Sequence, residues 1–287
     1  MKTMFMVLAL LASVYVGAVE IGKADFKQAP TVAGEATVTS TAWDGSNWLS
    51  DTVAPVQSAV QGALTDPAPG SASSRVLLLH FDGTDGATAT TDSAIAGAAP
   101  HTITFAGDAQ LDTAQKRFGT ASLLLDGTGD YASAADSPDW DFGASDFQID
   151  YWVRYNVVTD FSVHLSNWLN NDEGWMIYRV NANQLHFQYS VNGSSDLTMA
   201  ASFVFRVGQW YHICYRRAGS MLTLWINGTQ VGWHDIGAAT IFNSTQGLVI
   251  GGTGDGTLNL NGWIDEVSIV KGAYVNTLLP PQKPYKP

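Results

Sequence analysis

The chain is 287 residues long, with 46% apolar residues and ten tryptophans, enough to bury a substantial core. Fourteen Lys and Arg against 26 Asp and Glu leave a formal charge of −12, which repels phosphate backbones and excludes nucleic acid as a partner. The one cysteine, Cys214, excludes an intrachain disulfide and any multi-cysteine zinc site, and it reads as a small buried apolar residue.

Residues 1–18 have the make-up of a secretory signal: Lys2, an apolar run from Met4 to Val16, then the small residues Gly17 and Ala18. Glu20 and Lys23 follow closely, so the run is short for a bilayer span. The segment reads as a cleaved signal peptide or, alternatively, as an uncleaved anchor associated with a membrane. Residues 19–74 are rich in Ala, Thr, Ser, Val, Gly and Pro and end in Asp66-Pro67-Ala68-Pro69-Gly70, a linker composition. They read as an attachment or oligomerisation arm, with a plain spacer as the alternative. Within them residues 36–41 predict a strand, and Val53, Val56, Val60 and Leu64 carry a weak helical spacing.

From Arg75 onward short aromatic and β-branched runs alternate with Gly, Asp and Asn turns. Strands are predicted at 76–81, 102–105, 121–125, 147–156, 161–167 and 174–180. Further strands follow at 184–190, 210–217, 221–226, 229–233, 247–250 and 263–270. Asn227-Gly228 joins two of these as a two-residue hairpin. No stretch sustains a 3.6-residue period, so residues 75–276 predict an all-β domain of two antiparallel sheets packed face to face, followed by a Pro-rich tail at 277–287.

Chemistry-bearing residues are sparse. Six scattered histidines show neither an H-x-H nor an H-E-x-x-H spacing, and no G-x-S-x-G nucleophile elbow exists. A sugar site needs an aromatic face beside amides and carboxylates. Asn167-Trp168-Leu169-Asn170-Asn171-Asp172 offers that combination, with Trp175 just beyond, so Trp168, Asn170, Asn171, Asp172 and Trp175 are the ligand-contact candidates. Trp233-His234-Asp235, past the hairpin, is a weaker one. Trp152, Trp210, Trp225 and Trp263 lie in strands and are expected to be packing residues.

Several segments resemble a known family in order. They are Leu77-Leu78-Leu79-His80-Phe81-Asp82-Gly83, Phe118-Gly119-Thr120-Ala121-Ser122-Leu123-Leu124-Leu125-Asp126-Gly127, and Phe147-Gln148-Ile149-Asp150-Tyr151-Trp152-Val153. Trp210-Tyr211-His212, Leu222-Thr223-Leu224-Trp225-Ile226-Asn227-Gly228 and Ile264-Asp265-Glu266-Val267-Ser268-Ile269 follow. Together they resemble laminin-G-like, concanavalin A-like jelly rolls over about 75–276. The resemblance implies the sandwich fold, glycan or glycoprotein binding, and a structural calcium where the first and last strands meet. The positions matching its ligands are Asp92 and Asp265, with Asp82 or Asp85 beside them, all able to supply the hard oxygens calcium takes.

Enzymes on such sandwiches need paired carboxylates, commonly glutamates. The four glutamates, Glu20, Glu35, Glu173 and Glu266, never share a strand at alternate spacing. The expectation is therefore a non-catalytic module recognising glycans or a glycoprotein surface. The wording of several segments also resembles phage virion domains, which implies a fibre, decoration or tail protein on a virion surface. Capsid or tail proteins would then be partners through residues 19–74, with self-association into a homo-oligomer a further expectation. The alternative is a secreted bacterial carbohydrate-binding or adhesion protein; a glycoside hydrolase or lyase is the third reading.

Overall fold

Side chains that alternate in polarity put one set on each face of a strand, and that alternation shapes the chain from Arg75 onward. The structure, a computed structural model, describes residues 31–32, 36–37, 74–158, 161–274 and 279–286. Two compact units divide the chain, Met1–Ala59 and Val60–Pro287. In the first, β1 (Thr31–Val32) pairs antiparallel with β2 (Ala36–Thr37). The helical spacing anticipated at 53–64, like the signal-like segment at 1–18, lies outside the described residues. No helix among the described residues is long and apolar enough to cross a membrane.

The second unit is a β-sandwich. Its strands are β3 (Arg75–Leu79), β4 (Thr104–Ala106), β5 (Gln110–Asp112), β6 (Ser122–Asp126), β7 (Tyr131–Ala134), β8 (Phe147–Tyr155), β9 (Ser162–Leu169) and β10 (Asp172–Asn181). They continue with β11 (Gln184–Gly193), β12 (Asp196–Ser202), β13 (Trp210–Ala218), β14 (Met221–Ile226), β15 (Thr229–Asp235), β16 (Leu248–Ile250) and β17 (Asn261–Lys271). Sheet 1 has the order β12-β11-β10-β9-β16-β7-β4, and sheet 2 the order β15-β14-β13-β8-β17-β6-β5. The anticipated strands are present. β5, β7 and β12 are additions, short or polar enough that their alternation is weak.

Inward residues from both sheets form one core, among them Ile149, Tyr151 and Val153 of β8, Ile213 and Tyr215 of β13, and Trp175, Ile177 and Phe187 of sheet 1. At one end Phe142 stacks on Phe147 with ring centroids 4.2 Å apart and on Trp175 at 5.2 Å. Each such buried ring contributes about 1.5–3 kcal/mol relative to solvent exposure. The Trp175 indole N–H reaches the carbonyl of Trp140 at 2.9 Å, so its one polar atom is satisfied.

Two local devices set the geometry of sheet 2. The β14–β15 turn places Asn227 at φ 50° and Gly228 at φ 78°, the left-handed pair that a two-residue hairpin requires. In β17 a bulge at Asp265–Ser268, with Glu266 at φ 53°, splits one edge of the strand between two neighbours. Residues 261–264 pair with β6, and 267–270 pair with β3.

Candidate functional site

In a two-sheet sandwich the outer faces meet water, so their residues are expected to be polar. On sheet 1 they are so only in part. The outward residues Val163, Trp168, Met176 and Tyr178, with Val180 beside them, form an apolar cluster separate from the core. Register builds the face row by row. One row runs Thr104, Ser133, Val249, Ser166, Met176, Gln188, Thr198 across all seven strands. The next runs Val163, Tyr178, His186, Ala200.

Tyr178 is the centre of this face. The ring of Phe161, 37% exposed, stacks on it at 4.8 Å and 22°. The Tyr178 hydroxyl donates to Gln188 Oε1 at 2.8 Å, so His186 Nδ1, 3.1 Å away, is assigned as the donor to the phenol oxygen. Burial lowers the His186 pKa, favouring a neutral imidazole, and burial raises that of the Tyr178 hydroxyl. Beyond β9 the same face opens into a shallow recess of about 280 Å³ lined by Thr104, Tyr131, Ser133, Gln246 and Val249, among others.

Four of the five sequence-derived ligand candidates collect at one end of this face. Trp168 closes β9 and lies in the apolar cluster, only 6% exposed, so its ring is packing more than platform. Asn170 and Asn171 form the β9–β10 turn, with Asn171 at φ 67°. Asp172 accepts from the Thr245 hydroxyl at 2.6 Å and the Gln246 amide at 2.8 Å. Burial opposes its ionisation, but these bonds outweigh that and hold its pKa low.

Trp175 is a correction: it is fully buried in the core and cannot touch a ligand. A bulge between Glu173 and Trp175 shifts the register, putting Trp175 opposite inward-facing Asn167 while Glu173 stays opposite outward-facing Trp168. The sequence reading missed Phe161, Tyr178, His186 and Gln188. Their outward alternation was the available signal, obscured because β9 and β10 are apolar on both faces.

Glu173 also gains an unforeseen neighbour. Burial, then hydrogen bonding to Asp196 at the start of β12, raises its carboxyl pKa. Same-strand spacing cannot reveal a pair made across strands.

The four aspartates that the resemblance matches to a calcium site are engaged by protein donors. Asp92 Oδ1 accepts from the backbone N–H groups of Leu78 and Ala94, and Oδ2 from the backbone and ring N–H of His101. Asp82 accepts from Thr120, and Asp85 from Thr113. Asp265 Oδ2 accepts from the backbone of Arg117 and Phe118, and burial pushes its pKa well up. These N–H and O–H donors shape the turns around the carboxylates, while Asp265 Oδ1 is buried without a hydrogen-bond partner. Among the described residues no three His, Cys, Asp or Glu side chains group to hold a metal.

The outer face of sheet 2 is built differently. Residues 279–286 lie across it, with Pro280 beside Gly228 and Tyr285 over the centre of the sheet. The Tyr285 N–H donates to Glu266 Oε2 at 2.9 Å, and its hydroxyl is 3.1 Å from His212 Nε2. Beneath it, Glu266 Oε1 meets His80 Nδ1 at 2.8 Å, and Asp150 lies 3.4 Å from His212. The buried Arg75 donates to Ser268 and to the carbonyl of Lys286, with its guanidinium 5.2 Å from the Tyr285 ring centroid. Cys214 is buried in the same layer, where burial pushes its thiol pKa well up. Trp152, Trp210, Trp225 and Trp263 face outward here and not into the core; Arg117 covers Trp152 and Arg154 covers Trp263 at 4.2 and 4.7 Å. Trp233, on the edge strand, is exposed.

A family model described as the concanavalin A-like lectin/glucanases superfamily matches residues 126–276, more than half of the chain. No curated protein matches it. Among solved structures it is similar to the binding domain of Paraclostridial Mosquitocidal Protein 1, at 16% identity over 71% of this chain and 50% of that chain, TM-score 0.56. It is also similar to the botulinum neurotoxin serotype C1 binding domain, at 16% over 69% and 49%, TM-score 0.50. A third likeness, at 16% over 72% and 50%, TM-score 0.53, is to botulinum neurotoxin type C, whose cell entry is described as dependent upon interaction with two ganglioside molecules. The chain spans about half the length of these structures, and at such identity the likeness is one of fold.

Proposed function

The chain belongs to the concanavalin A-like lectin/glucanases superfamily, and from that premise we propose that it is a non-catalytic module that binds a glycan through the outer face of sheet 1. The observation that carries this reading is the ring of Phe161, 37% exposed and stacked at 4.8 Å on the buried ring of Tyr178. Sugar C–H faces pack on rings, while hydroxyls need donors and acceptors beside them. Gln188, His186, Thr198 and Ser133 stand in the adjoining rows. The ganglioside interaction described for botulinum neurotoxin type C supports only the broad ligand class, a glycan; gangliosides are sialylated, and that charge is not carried over to this chain.

An oligosaccharide panel tests this directly. The wild-type chain binds at least one glycan, and Phe161→Ala lowers that affinity about tenfold, the size of a lost ring contact. Binding that survives both Phe161→Ala and Tyr178→Ala moves the site off this face. For the setting, we propose display outside a cell or on a virion, with residues 19–74 as the attachment arm to capsid or tail proteins. Mass spectrometry of native material reads it: an intact Met1 beside virion proteins supports assembly, and a start at Val19 supports the secreted alternative.

A second reading rests on Glu173 and Asp196. A carboxyl of raised pKa beside a second carboxylate is what a general acid in glycoside hydrolysis requires. Release of reducing ends from the same panel, abolished by Glu173→Gln, would replace the binding-only reading.

A further inference from the structure

The charge layout of the sandwich narrows the ligand, given the binding face proposed above. No outward position on sheet 1 carries Lys or Arg. The strands hold their basic residues elsewhere: Arg75, Arg154, Arg216, Arg217 and Lys271 belong to sheet 2. Arg179, the one arginine of sheet 1, turns inward, where it bonds the carbonyls of Val157 and Val158 and lies over the core ring of Tyr155. The polar side chains that face outward include hydroxyls, the amides of Gln184 and Gln188, the His186 imidazole and the carboxylates Glu173 and Asp196.

We infer that this face selects glycans without carboxylate, sulfate or phosphate groups. An anionic sugar seated here would lose water and gain no cation, and desolvating an unpaired charge is costly. The exposed face of Phe161 carries the negative side of the ring quadrupole, which repels an anion further. The net charge of −12 acts in the same direction at longer range. Recognition of sialic or uronic acids draws on arginine forks, and the arginines of the two sheets lie either on sheet 2 or inside the core.

The test is a panel in which each neutral oligosaccharide is presented beside its sialylated and sulfated counterparts, with the full chain at two salt concentrations. Neutral members bind at least about tenfold more tightly than their anionic counterparts, with little salt dependence. Thr198→Lys, at an exposed outward position, narrows that gap by raising affinity for the anionic members relative to the neutral ones. Tighter binding of sialylated or sulfated members by the wild-type chain overturns the inference and leaves glycan binding standing. Absence of binding to every member overturns the reading of the face itself, and this inference with it.

Discussion

The outer face of sheet 2 buries charge beneath the tail, whereas that of sheet 1 buries an apolar cluster beneath the exposed ring of Phe161. On sheet 2 the residues Arg75, Asp150, His212 and Glu266 are nearly or fully buried beneath Tyr285 and its neighbours. On sheet 1 Val163, Trp168, Met176 and Tyr178 are buried as well, but beneath an apolar ring, Phe161, that is itself 37% exposed. Each face inverts the expected pattern of polar outside and apolar inside. Buried charge needs partners to persist, so the sheet 2 face is a structural clasp joining first strand, last strand and tail. The exposed Phe161 ring gains little from burial in the folded chain, and on the proposed reading its use is recognition.

Substitutions on the two faces separate these roles. Arg75→Ala removes the cation from a buried layer holding Asp150 and Glu266, and leaves the Lys286 carbonyl without that donor. It is expected to cost about 3–5 kcal/mol in urea denaturation, typical of breaking a buried charge set. Tyr285→Phe deletes only the hydroxyl at His212 and is expected to cost about 1–1.5 kcal/mol. Phe161→Ala on sheet 1 costs under about 1 kcal/mol while impairing glycan binding. If Phe161→Ala proves as damaging to stability as Arg75→Ala, the contrast between clasp and recognition face collapses.

Much of the sandwich was legible because strand periodicity and turn chemistry are local. Asn227-Gly228 fixes its hairpin from two residues, and β14 is found at the positions expected. The site was less legible, because it depends on register. Trp175 faces the core through one bulge, and Glu173 meets Asp196 through pairings of β10, β11 and β12 that no local window contains. The tail misled for a different reason. Its prolines read as a trailing end, yet Tyr285 finds its partners at His212 and Glu266, 73 and 19 residues away in sequence. The aspartates read two ways in the sequence, since a carboxylate that shapes a turn and one that holds calcium look alike in a local window.

The clasp also predicts a small pH effect with a definite sign. His80 bonds Glu266, the residue that holds the Tyr285 N–H, and this bond raises the His80 pKa above its ordinary 6.5 despite opposition from burial. Protons are therefore held more tightly folded than unfolded. The resulting stabilisation is complete below pH 6.5 and fades as pH rises through the folded-state value. Other groups facing the pair are Arg75 of β3, which opposes protonation, and Asp82, which favours it. His80 is partly exposed, so the contribution stays under about 1 kcal/mol. His80→Gln is expected to lower the melting temperature at pH 6 and to converge on the wild-type value by pH 9. A gap that is constant with pH would mean that His80 acts there as a neutral packing group, and that the clasp is held by Arg75 and Tyr285 alone.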